Sequence, residues 1–425
     1  MATPFGLGKK GKPPYIERPR NIGVRMLQIK SYPAHNGDAF LIKADSPRPT
    51  AVLVDGGYSA TFHRHIRADL EELARHGYSL DLVVATHIDS DHVSGLLPLF
   101  KANGESRAPK IIGVGRVFHN SLRSIASGAS ATTPAKAPDE ELLEEIRRGG
   151  FPPAKAEERV EGEISARQGS SLAALLKSGG YMWNEGDGRT SVCGDGLNSF
   201  SVGAGMLTVI GPPRPRLEKL LTWWTSEIRR LGYAGPLGVN DPLDDAFEFL
   251  CAVPDPSTNA YPISGQDLSN LDLKDCYLSD DSVTNGSSIT FILKIGAQRV
   301  LFLGDGWAED AEAALRMMNP SPDKMLFDAI KVSHHGSLRN TSPSLLGLID
   351  APRYFISSNG DGHDHPDLPV LKAIVDRAGE PRELLFNYPT AASGRLKTHR
   401  SQSNVAFSVR EAFTDWVSLG IQARP

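Results

Sequence analysis

The segment Thr86-His87-Ile88-Asp89-Ser90-Asp91-His92 follows the apolar run 80–85 and precedes Gly95-Leu96-Leu97, where a helix is predicted to begin. The run has the length of a buried strand, and the end of a strand presents side chains from a rigid support. Two imidazoles and two carboxylates within six residues are ligands that suit borderline divalent metal ions. The segment therefore predicts a metal site, and a polar helix cap without a metal is the alternative.

Two later segments also place polar side chains after an apolar strand. The first, Arg-Val-Leu-Phe-Leu-Gly-Asp at 299–305, ends in Asp305. The second, Asp-Ala-Ile-Lys-Val-Ser-His-His-Gly-Ser at 328–337, contains His334 and His335. Each segment alone is equally consistent with a turn or a helix cap. Together with 86–92 they supply a full set of candidate metal ligands.

The composition indicates a globular protein and limits its partners. The chain has 425 residues, of which 40% are hydrophobic and 23% are charged, so it can bury a sizeable core. Its formal net charge is -4, which excludes a global positive field for nucleic acid and leaves only a local basic groove. The three cysteines are odd in number and widely spaced, so no disulfide framework or zinc knuckle is expected. No apolar run approaches the roughly 18 residues that span a bilayer. We therefore expect a cytoplasmic protein without a membrane partner.

Apolar runs of strand length form two groups along the chain. The first group covers 24–29, 39–42, 51–54 and 80–85, and the second covers 288–295, 299–303, 329–332, 354–357 and 383–386. Helical periodicity occurs between them, for example at 309–318 and 369–377. Two β-rich halves with interspersed helices predict one layered α/β (α+β) domain.

The predicted domain has tails and insertions. Residues 1–21 are rich in Gly, Pro, Lys and Arg and predict a flexible basic tail. The domain itself is predicted over 22–411, with insertions at about 126–200 and 212–282, and residues 412–425 are predicted to form a C-terminal tail.

These motifs carry a family resemblance. The relevant segments are Asn36-Gly37-Asp38-Ala39, Val54-Asp55-Gly56-Gly57, 86–92, Leu303-Gly304-Asp305, Lys331 to Ser337, and Ser357-Ser358-Asn359-Gly360 leading to His365-Pro366. In this order they resemble the metallo-β-lactamase fold superfamily, and within it the branch typified by the C-terminal domain of the DNA-uptake protein ComEC/Rec2. The resemblance implies a four-layer αββα sandwich and a stand-alone soluble relative of that branch.

The resemblance also implies roles for individual residues around two divalent metal ions, Zn²⁺ or Mn²⁺, with Mg²⁺ as a further option. His87 and Asp89 would hold the first ion, Asp91, His92 and His334 the second, and Asp305 would bridge them. Asp89 and Asp91 would orient the attacking water, and His335 would contact the substrate and shuttle a proton. Ser337, Asn359 and His365 would bind the substrate.

The sequence departs from the superfamily pattern at the first metal. Asp89 replaces the second histidine of the usual motif, and the histidine usually found before the bridging aspartate is absent, since Thr284-Asn285-Gly286-Ser287-Ser288 occupies that stretch. An oxygen-rich first site should bind zinc less selectively. His119, His363 and His365 are candidate substitutes.

The resemblance implies a metal-dependent hydrolase, and the ComEC-like motifs favour a phosphodiesterase or nuclease that acts on DNA through a metal-activated water. A local positive rim for DNA is predicted from Lys331, Arg339, Arg353, Arg395, Lys397 and Arg400. One alternative is a small-molecule phosphodiesterase or esterase with the insertions as a lid. Another is a partner-binding subunit of a bacterial defence (antiviral) or competence system, with a degenerate metal site.

Overall fold

Two stacked β-sheets form the centre of the protein. The computed structural model describes residues 27–45, 48–126, 137–150, 170–252, 271–361 and 365–420. The first sheet has the order β16-β1-β2-β3-β4-β5, with β1 (Leu27–Ser31), β2 (Phe40–Asp45), β3 (Pro49–Val54), β4 (Leu80–Val84), β5 (Val117–Phe118) and β16 (Val417–Leu419). The basic tail predicted for 1–21 and the candidate His363 lie outside the described residues.

The second sheet has the order β15-β14-β13-β11-β9-β8-β7-β6. Its strands are β6 (Ser199–Val202), β7 (Gly205–Gly211), β8 (Thr290–Ile295), β9 (Gln298–Phe302), β11 (Ala329–Lys331), β13 (Arg353–Ile356), β14 (Arg382–Phe386) and β15 (Phe407–Glu411). A separate parallel pair consists of β10 (Met325–Leu326) and β12 (Ile349–Asp350).

Helices cover both outer faces of this pair of sheets. Around the first sheet and in the inserted region they are α1 (Ser59–Thr61), a π-helical turn (Phe62–Ile66), α2 (Arg67–Arg75), α3 (Ser90–Val93), α4 (Leu96–Asn103), α5 (Leu122–Ile125), α6 (Ala137–Gly149), α7 (Leu172–Ser178), α8 (Arg214–Arg230) and α9 (Asp241–Cys251). After them come α10 (Leu273–Cys276), α11 (Ala308–Met318), α12 (Pro343–Leu348), α13 (Leu368–Val375) and α14 (Ala391–Leu396), with short 3-10 turns at Asn285–Ser287 and Ser333–Gly336.

Alternation of side chains along the strands separates the layers. On β2, Phe40 and Ile42 point into a core shared with Phe291 and Phe302 of the second sheet, whereas Leu41 packs against the helices that cover the first sheet. A strand alternates its side chains between two faces, so a strand buried on both faces lies between two layers. The predicted α/β fold is confirmed, with helices outside both sheets.

The end of the chain differs from the prediction. Residues 412–425 were expected to form a tail, but β16 pairs antiparallel with β1 and completes the first sheet. Val417 and Leu419 are 5% and 0% exposed, and they contribute to the core between the sheets. Burial of alternate side chains together with edge pairing holds the segment, and residues 421–425 lie outside the described part of the chain. The predicted domain limits stay a prediction.

The part of the chain predicted to be inserted, here called the inserted region, has a core of its own that touches segment 86–92. Leu217, Leu220, Trp224 and Ile228, which recur at helical spacing, are all buried on α8. They share one apolar cluster with residues of α5 and α9 and with Ile88, which is 1% exposed. Because Ile88 lies between His87 and Asp89, packing of the inserted region fixes the backbone of both candidate ligands.

Candidate metal centre

Parallel strand pairing brings the polar segments together. β3 and β4 are parallel neighbours, and so are β9 and β11. The carboxyl ends of parallel strands meet at one edge of a sheet, so Asp55 and His87 emerge side by side, as do Asp305 and His334. Hydrogen bonds join the two sheets there, since the Ile289 amide donates to the Thr86 carbonyl at 2.8 Å.

Asp305 lies at the centre of the cluster. Its Oδ2 atom is 3.3 Å from Nε2 of His92 and 3.4 Å from Nε2 of His335. It is also 3.9 Å from Nε2 of His334 and 4.0 Å from Nε2 of His87. Four imidazole nitrogens therefore surround one buried carboxylate oxygen, as expected for a carboxylate placed to bridge metal ions.

The two remaining predicted carboxylates lie on opposite sides of this centre and are partly exposed. Asp89 Oδ2 is 3.4 Å from His87 Nε2 and accepts a hydrogen bond of 3.3 Å from the Thr284 hydroxyl. Asp91 Oδ2 is 3.7 Å from His335 Nε2 and accepts a hydrogen bond of 2.9 Å from the Asn36 amide. The side chains of Asp89 and Asp91 are 19% and 16% exposed, so both carboxylates reach solvent.

Several buried polar atoms of the cluster have no hydrogen-bond partner. They are Nε2 of His87, Nε2 of His92, Oδ1 of Asp89 and Oδ1 of Asp305. Buried polar groups are normally satisfied, and a divalent cation would satisfy these atoms together. Imidazole nitrogen with carboxylate oxygen is a donor set that suits zinc or manganese. The residues therefore fit the divalent metal that the sequence predicts.

Outer partners orient His92 and His335, which are both buried. Nδ1 of His92 lies 2.9 Å from Oδ2 of Asp55, and Nδ1 of His335 lies 2.8 Å from the Ser357 carbonyl oxygen. Both partners are acceptors, so both Nδ1 atoms carry a proton and Nε2 is left to face Asp305. Burial alone would lower the pKa of His92, but the charges of Asp305 and Asp55 raise it well above its usual value.

A buried ion pair lies behind the centre. Lys331, 1% exposed, contacts Asp38, donates to the Gly304 carbonyl at 3.0 Å and lies 3.6 Å from Asp305 Oδ1. Burial alone would raise the pKa of Asp38, but the charges of Lys331 and His335 lower it below its usual value. The sequence-based prediction placed Lys331 on a surface rim, and that is wrong because its ammonium is inside the cluster.

Three other residues of the predicted positive rim are paired with carboxylates, whereas Arg395 and Arg400 are exposed. Arg353 lies 3.5 Å from Glu383, Lys397 pairs with Glu411, and Arg339 lies 2.8 Å from Asp281. Each of these side chains is partly neutralised by its neighbour.

The predicted substrate residues occupy two loops beside the histidines. Ser337 is 1% exposed, and its hydroxyl accepts a bond from the Arg339 amide at 3.2 Å. The Asn359 side chain bonds within its own loop, to Asp361 at 3.1 Å. The His365 ring packs edge-on against His334, with centroids 5.0 Å apart. His365 thus adjoins the metal centre, and the substrate roles of all three stay a prediction.

The candidate substitute His119 has another partner. Its Nε2 lies 2.8 Å from Glu248, and its ring stacks on Trp183 with a centroid distance of 5.9 Å. Glu248 is fully buried on α9 and also accepts bonds from the amides of Leu172 and Ala173 at the start of α7. His119 therefore contacts two separate segments of the inserted region, through Trp183 and Glu248.

Asp38, Asp55 and Lys331 are the members of the centre whose roles the sequence does not predict. Asp38 and Asp55 lie inside motifs that carry the family resemblance, and that is the signal that could have found them. The close approach of these motifs also has a steric reason. A Cβ atom on Gly37 would lie 1.9 Å from the Asp91 carbonyl oxygen, so only glycine fits there.

Comparisons with known proteins agree with this geometry. The family model described as the metallo-beta-lactamase superfamily matches residues 33–156. No curated protein matches the chain. The matched stretch is similar to that superfamily, and it contains segment 86–92, whose His87, Asp91 and His92 belong to groups that could hold a metal ion. The narrower ComEC/Rec2-like branch stays a prediction.

Two solved structures are similar to the chain at low identity. One is the metallo-beta-lactamase fold protein YhfI from Bacillus subtilis, with 9% identity, a TM-score of 0.37 and coverage of 92% of this chain and 99% of that one. The other is a variant of the β-hydroxylase CmlA, with 14% identity, a TM-score of 0.35 and coverage of 94% of this chain and 55% of that one.

Among the described residues, no helix is long and apolar enough to cross a membrane.

Proposed function

We propose that this protein hydrolyses phosphodiesters, with DNA as the favoured substrate and a divalent metal centre at Asp305. The observation that carries the proposal is the convergence of four imidazole Nε2 atoms on Asp305 Oδ2, within 4.0 Å, beside the two partly exposed carboxylates Asp89 and Asp91. Bound divalent ions would lower the pKa of a water molecule and neutralise charge on a phosphoryl group.

The residues of the chain have separable roles in this proposal. Asp89 and Asp91 are the partly exposed carboxylates of the centre, and a carboxylate that reaches solvent can orient an attacking water. Asn36 fixes Asp91 through its amide, and the Tyr58 hydroxyl donates to Asn36 Oδ1 at 3.2 Å. Burial and the charge of Asp91 raise the pKa of Tyr58 well above its usual value, so its hydroxyl keeps the proton it donates.

An aromatic group beside Asp91 favours a substrate with nucleobases. The rings of His35 and Tyr58 meet edge-on with centroids 6.0 Å apart, and His35 stacks on Tyr388 with centroids 6.4 Å apart. All three side chains are partly exposed. Bases stack on exposed aromatic rings, at about 1–3 kcal/mol each.

The first test is hydrolysis by purified protein of measured metal content. Supercoiled plasmid, single-stranded DNA and a bis-aryl phosphodiester are offered with Mn²⁺ or Zn²⁺, and the variant Asp91→Ala is tested beside the wild type. We expect metal-dependent DNA cleavage that is lost in Asp91→Ala while the fold persists, as judged by circular dichroism.

The other outcomes identify the alternatives. Cleavage of the aryl ester alone would indicate a small-molecule phosphodiesterase and would reject DNA. Activity that persists in Asp91→Ala would reject the metal-centre mechanism. No hydrolysis, together with less than about one bound metal ion, would favour the partner-binding subunit with a degenerate site.

A further inference from the structure

Two adjacent histidines, His334 and His335, diverge from a strained turn. Their φ angles are 43° and 54°, in the left-handed region that residues other than glycine seldom adopt. The His334 amide donates to the Gly304 carbonyl at 2.9 Å, which holds the turn against the loop that carries Asp305. Successive side chains in this turn reach different sides of the metal centre.

His335 belongs to the side that contains Asp91. Its Nε2 atom is 3.7 Å from Asp91 Oδ2, and together with His92 these residues form one of the groups that could hold a metal ion. Its Nδ1 is bonded to a carbonyl oxygen, so Nε2 is the free ligand atom.

His334 is oriented by a separate chain of hydrogen bonds. Its Nδ1 lies 2.8 Å from Oδ1 of Asn340. The Asn340 amide nitrogen donates to Asp280 at 2.9 Å and to the Asp305 carbonyl at 3.0 Å, and these acceptors fix which side of the amide faces His334. Because Asn340 presents its oxygen, Nδ1 carries the proton and Nε2 faces Asp305 with its lone pair.

The neighbours of His334 place it on the side that contains Asp89. Its Nδ1 is 3.4 Å from the Asn285 amide, and the adjacent Thr284 hydroxyl donates to Asp89 at 3.3 Å. Segment 284–288 is the stretch in which the superfamily pattern would supply another histidine, and it contains no imidazole. His334 therefore brings an imidazole, in addition to that of His87, to the side where segment 284–288 supplies none.

We propose that His334 is the third protein ligand of the metal ion held by His87 and Asp89, where it replaces the absent histidine. His335 is then a ligand of the second metal ion, together with Asp91 and His92. Asp280 and Asn340 act as positioning residues that hold the His334 tautomer. The proposal rests on the metal centre of the proposed function and does not depend on its substrate.

Metal stoichiometry in pairs of variants tests the assignment. The protein is stripped with chelator, reloaded with Co²⁺ or Zn²⁺, and analysed for bound metal and for the visible absorption of Co²⁺. We expect about two equivalents in the wild type, as in two-metal sites, and a loss of one equivalent in His334→Ala. The double variant His334→Ala/His87→Ala should keep the other equivalent, because both residues are assigned to the same metal ion. The pair His334→Ala with His335→Ala should lose both.

Two controls separate this role from a structural one. His76→Ala removes an exposed imidazole just after α2, whose Nδ1 lies 2.9 Å from the Glu72 carbonyl oxygen, and should keep both equivalents. Asn340→Leu removes the acceptor of Nδ1 and should weaken the same equivalent as His334→Ala by about 10- to 100-fold. Thermal unfolding of the metal-free proteins checks that each variant folds.

Three results would overturn the assignment: a wild type with fewer than two equivalents, a folded His334→Ala that keeps both at unchanged affinity, or a His334→Ala/His87→Ala pair that loses both. A wild type that passes the metal test and cleaves no phosphodiester would sustain the role of His334 and reject the proposed substrate.

Discussion

The carboxylate of Asp55 lies 2.9 Å from Nδ1 of His92 and thereby directs the opposite ring nitrogen toward Asp305, 3.3 Å away. Asp55 is fully buried and also accepts bonds from the Thr86 amide and hydroxyl, at 2.7 and 2.8 Å. One side chain thus fixes both the orientation of a ligand and the start of the loop that carries His87.

Replacement of Asp55 should weaken metal binding. In Asp55→Asn the left-handed backbone, with φ at 57°, is retained because asparagine tolerates it, but one acceptor oxygen becomes a donor. We expect the affinity for Zn²⁺ or Mn²⁺ to fall by about 10- to 100-fold. Competition with a chromophoric chelator measures the change. An affinity equal to the wild type's would show that Asp55 does not orient His92.

Removal of the buried lysine should destabilise the metal-free protein more than the metal-loaded one. Lys331→Met leaves Asp38 and Asp305 without their buried cation, at a cost of about 3–5 kcal/mol in the free energy of unfolding. A divalent cation supplies positive charge to the same carboxylates, so added metal should recover part of the loss.

Urea unfolding with and without metal checks this expectation. The double variant Lys331→Met/Asp38→Asn should lose less than the sum of the two single variants, because the two side chains form one pair. Additive losses, or a loss in Lys331→Met that metal does not reduce, would count against the electrostatic role of Lys331.

The sequence predicts that the residues of the centre lie at the ends of strands. It does not predict which of their side chains contact one another. An apolar run that ends in several metal-binding side chains is visible at 80–92, and the structure places β4 at Leu80–Val84. Asp38 and Lys331 are far apart in the sequence and meet only because the two sheets pack together. A lysine is almost never fully buried unless it is paired, which explains why Lys331 was assigned to the surface.

Sequence periodicity also could not show which of the adjacent residues His334 and His335 lies beside Asp91 and His92. The prediction assigned His334 to the second metal and His335 to the substrate, whereas the structure brings His335 to Asp91 and His92. The left-handed turn at 334–335 decides this, and no propensity of histidine reveals such a turn. Strand β16 was overlooked because three residues carry too little alternation to predict a strand.

The glycine at 37 should be required for the position of Asp91. In Gly37→Ala the new Cβ would meet the Asp91 carbonyl oxygen and backbone, so one of the two loops must move. We expect lower metal occupancy and a loss of stability of about 1–3 kcal/mol from overpacking. Bound metal and the melting temperature are the measurements.

A glycine in open space provides the matched control for Gly37. Gly347 lies in α12, and a Cβ there would meet no atom within 4 Å. Gly347→Ala should leave metal content unchanged and stabilise the helix by about 0.5–1 kcal/mol. Equal metal content in both alanine variants would refute the steric argument at position 37.

Acid should release a stabilising ion pair remote from the metal centre. Asp350 bonds to Arg382 at 2.6 and 3.0 Å and lies 3.3 Å from Arg377. Burial alone would raise the pKa of Asp350, but the hydrogen bond from Arg382 and the charge of Arg377 lower it. Because the folded-state pKa is lowered, the stabilisation is present above the unfolded value of about 3.9 and is lost as the pH falls through the folded value.

Asp350→Asn should therefore lose stability at neutral pH and show a flatter acid dependence. The change leaves the Arg382 guanidinium, 2% exposed, without its charged partner, at a cost of about 3–5 kcal/mol. Urea midpoints of the metal-free protein between pH 7 and pH 3 measure both effects. The exposed pair Arg67 and Glu71 is the control, since Glu71→Gln should shift stability by less than about 1 kcal/mol. If Asp350→Asn and the wild type lose stability in parallel below pH 4, Asp350 is not the group that acid titrates.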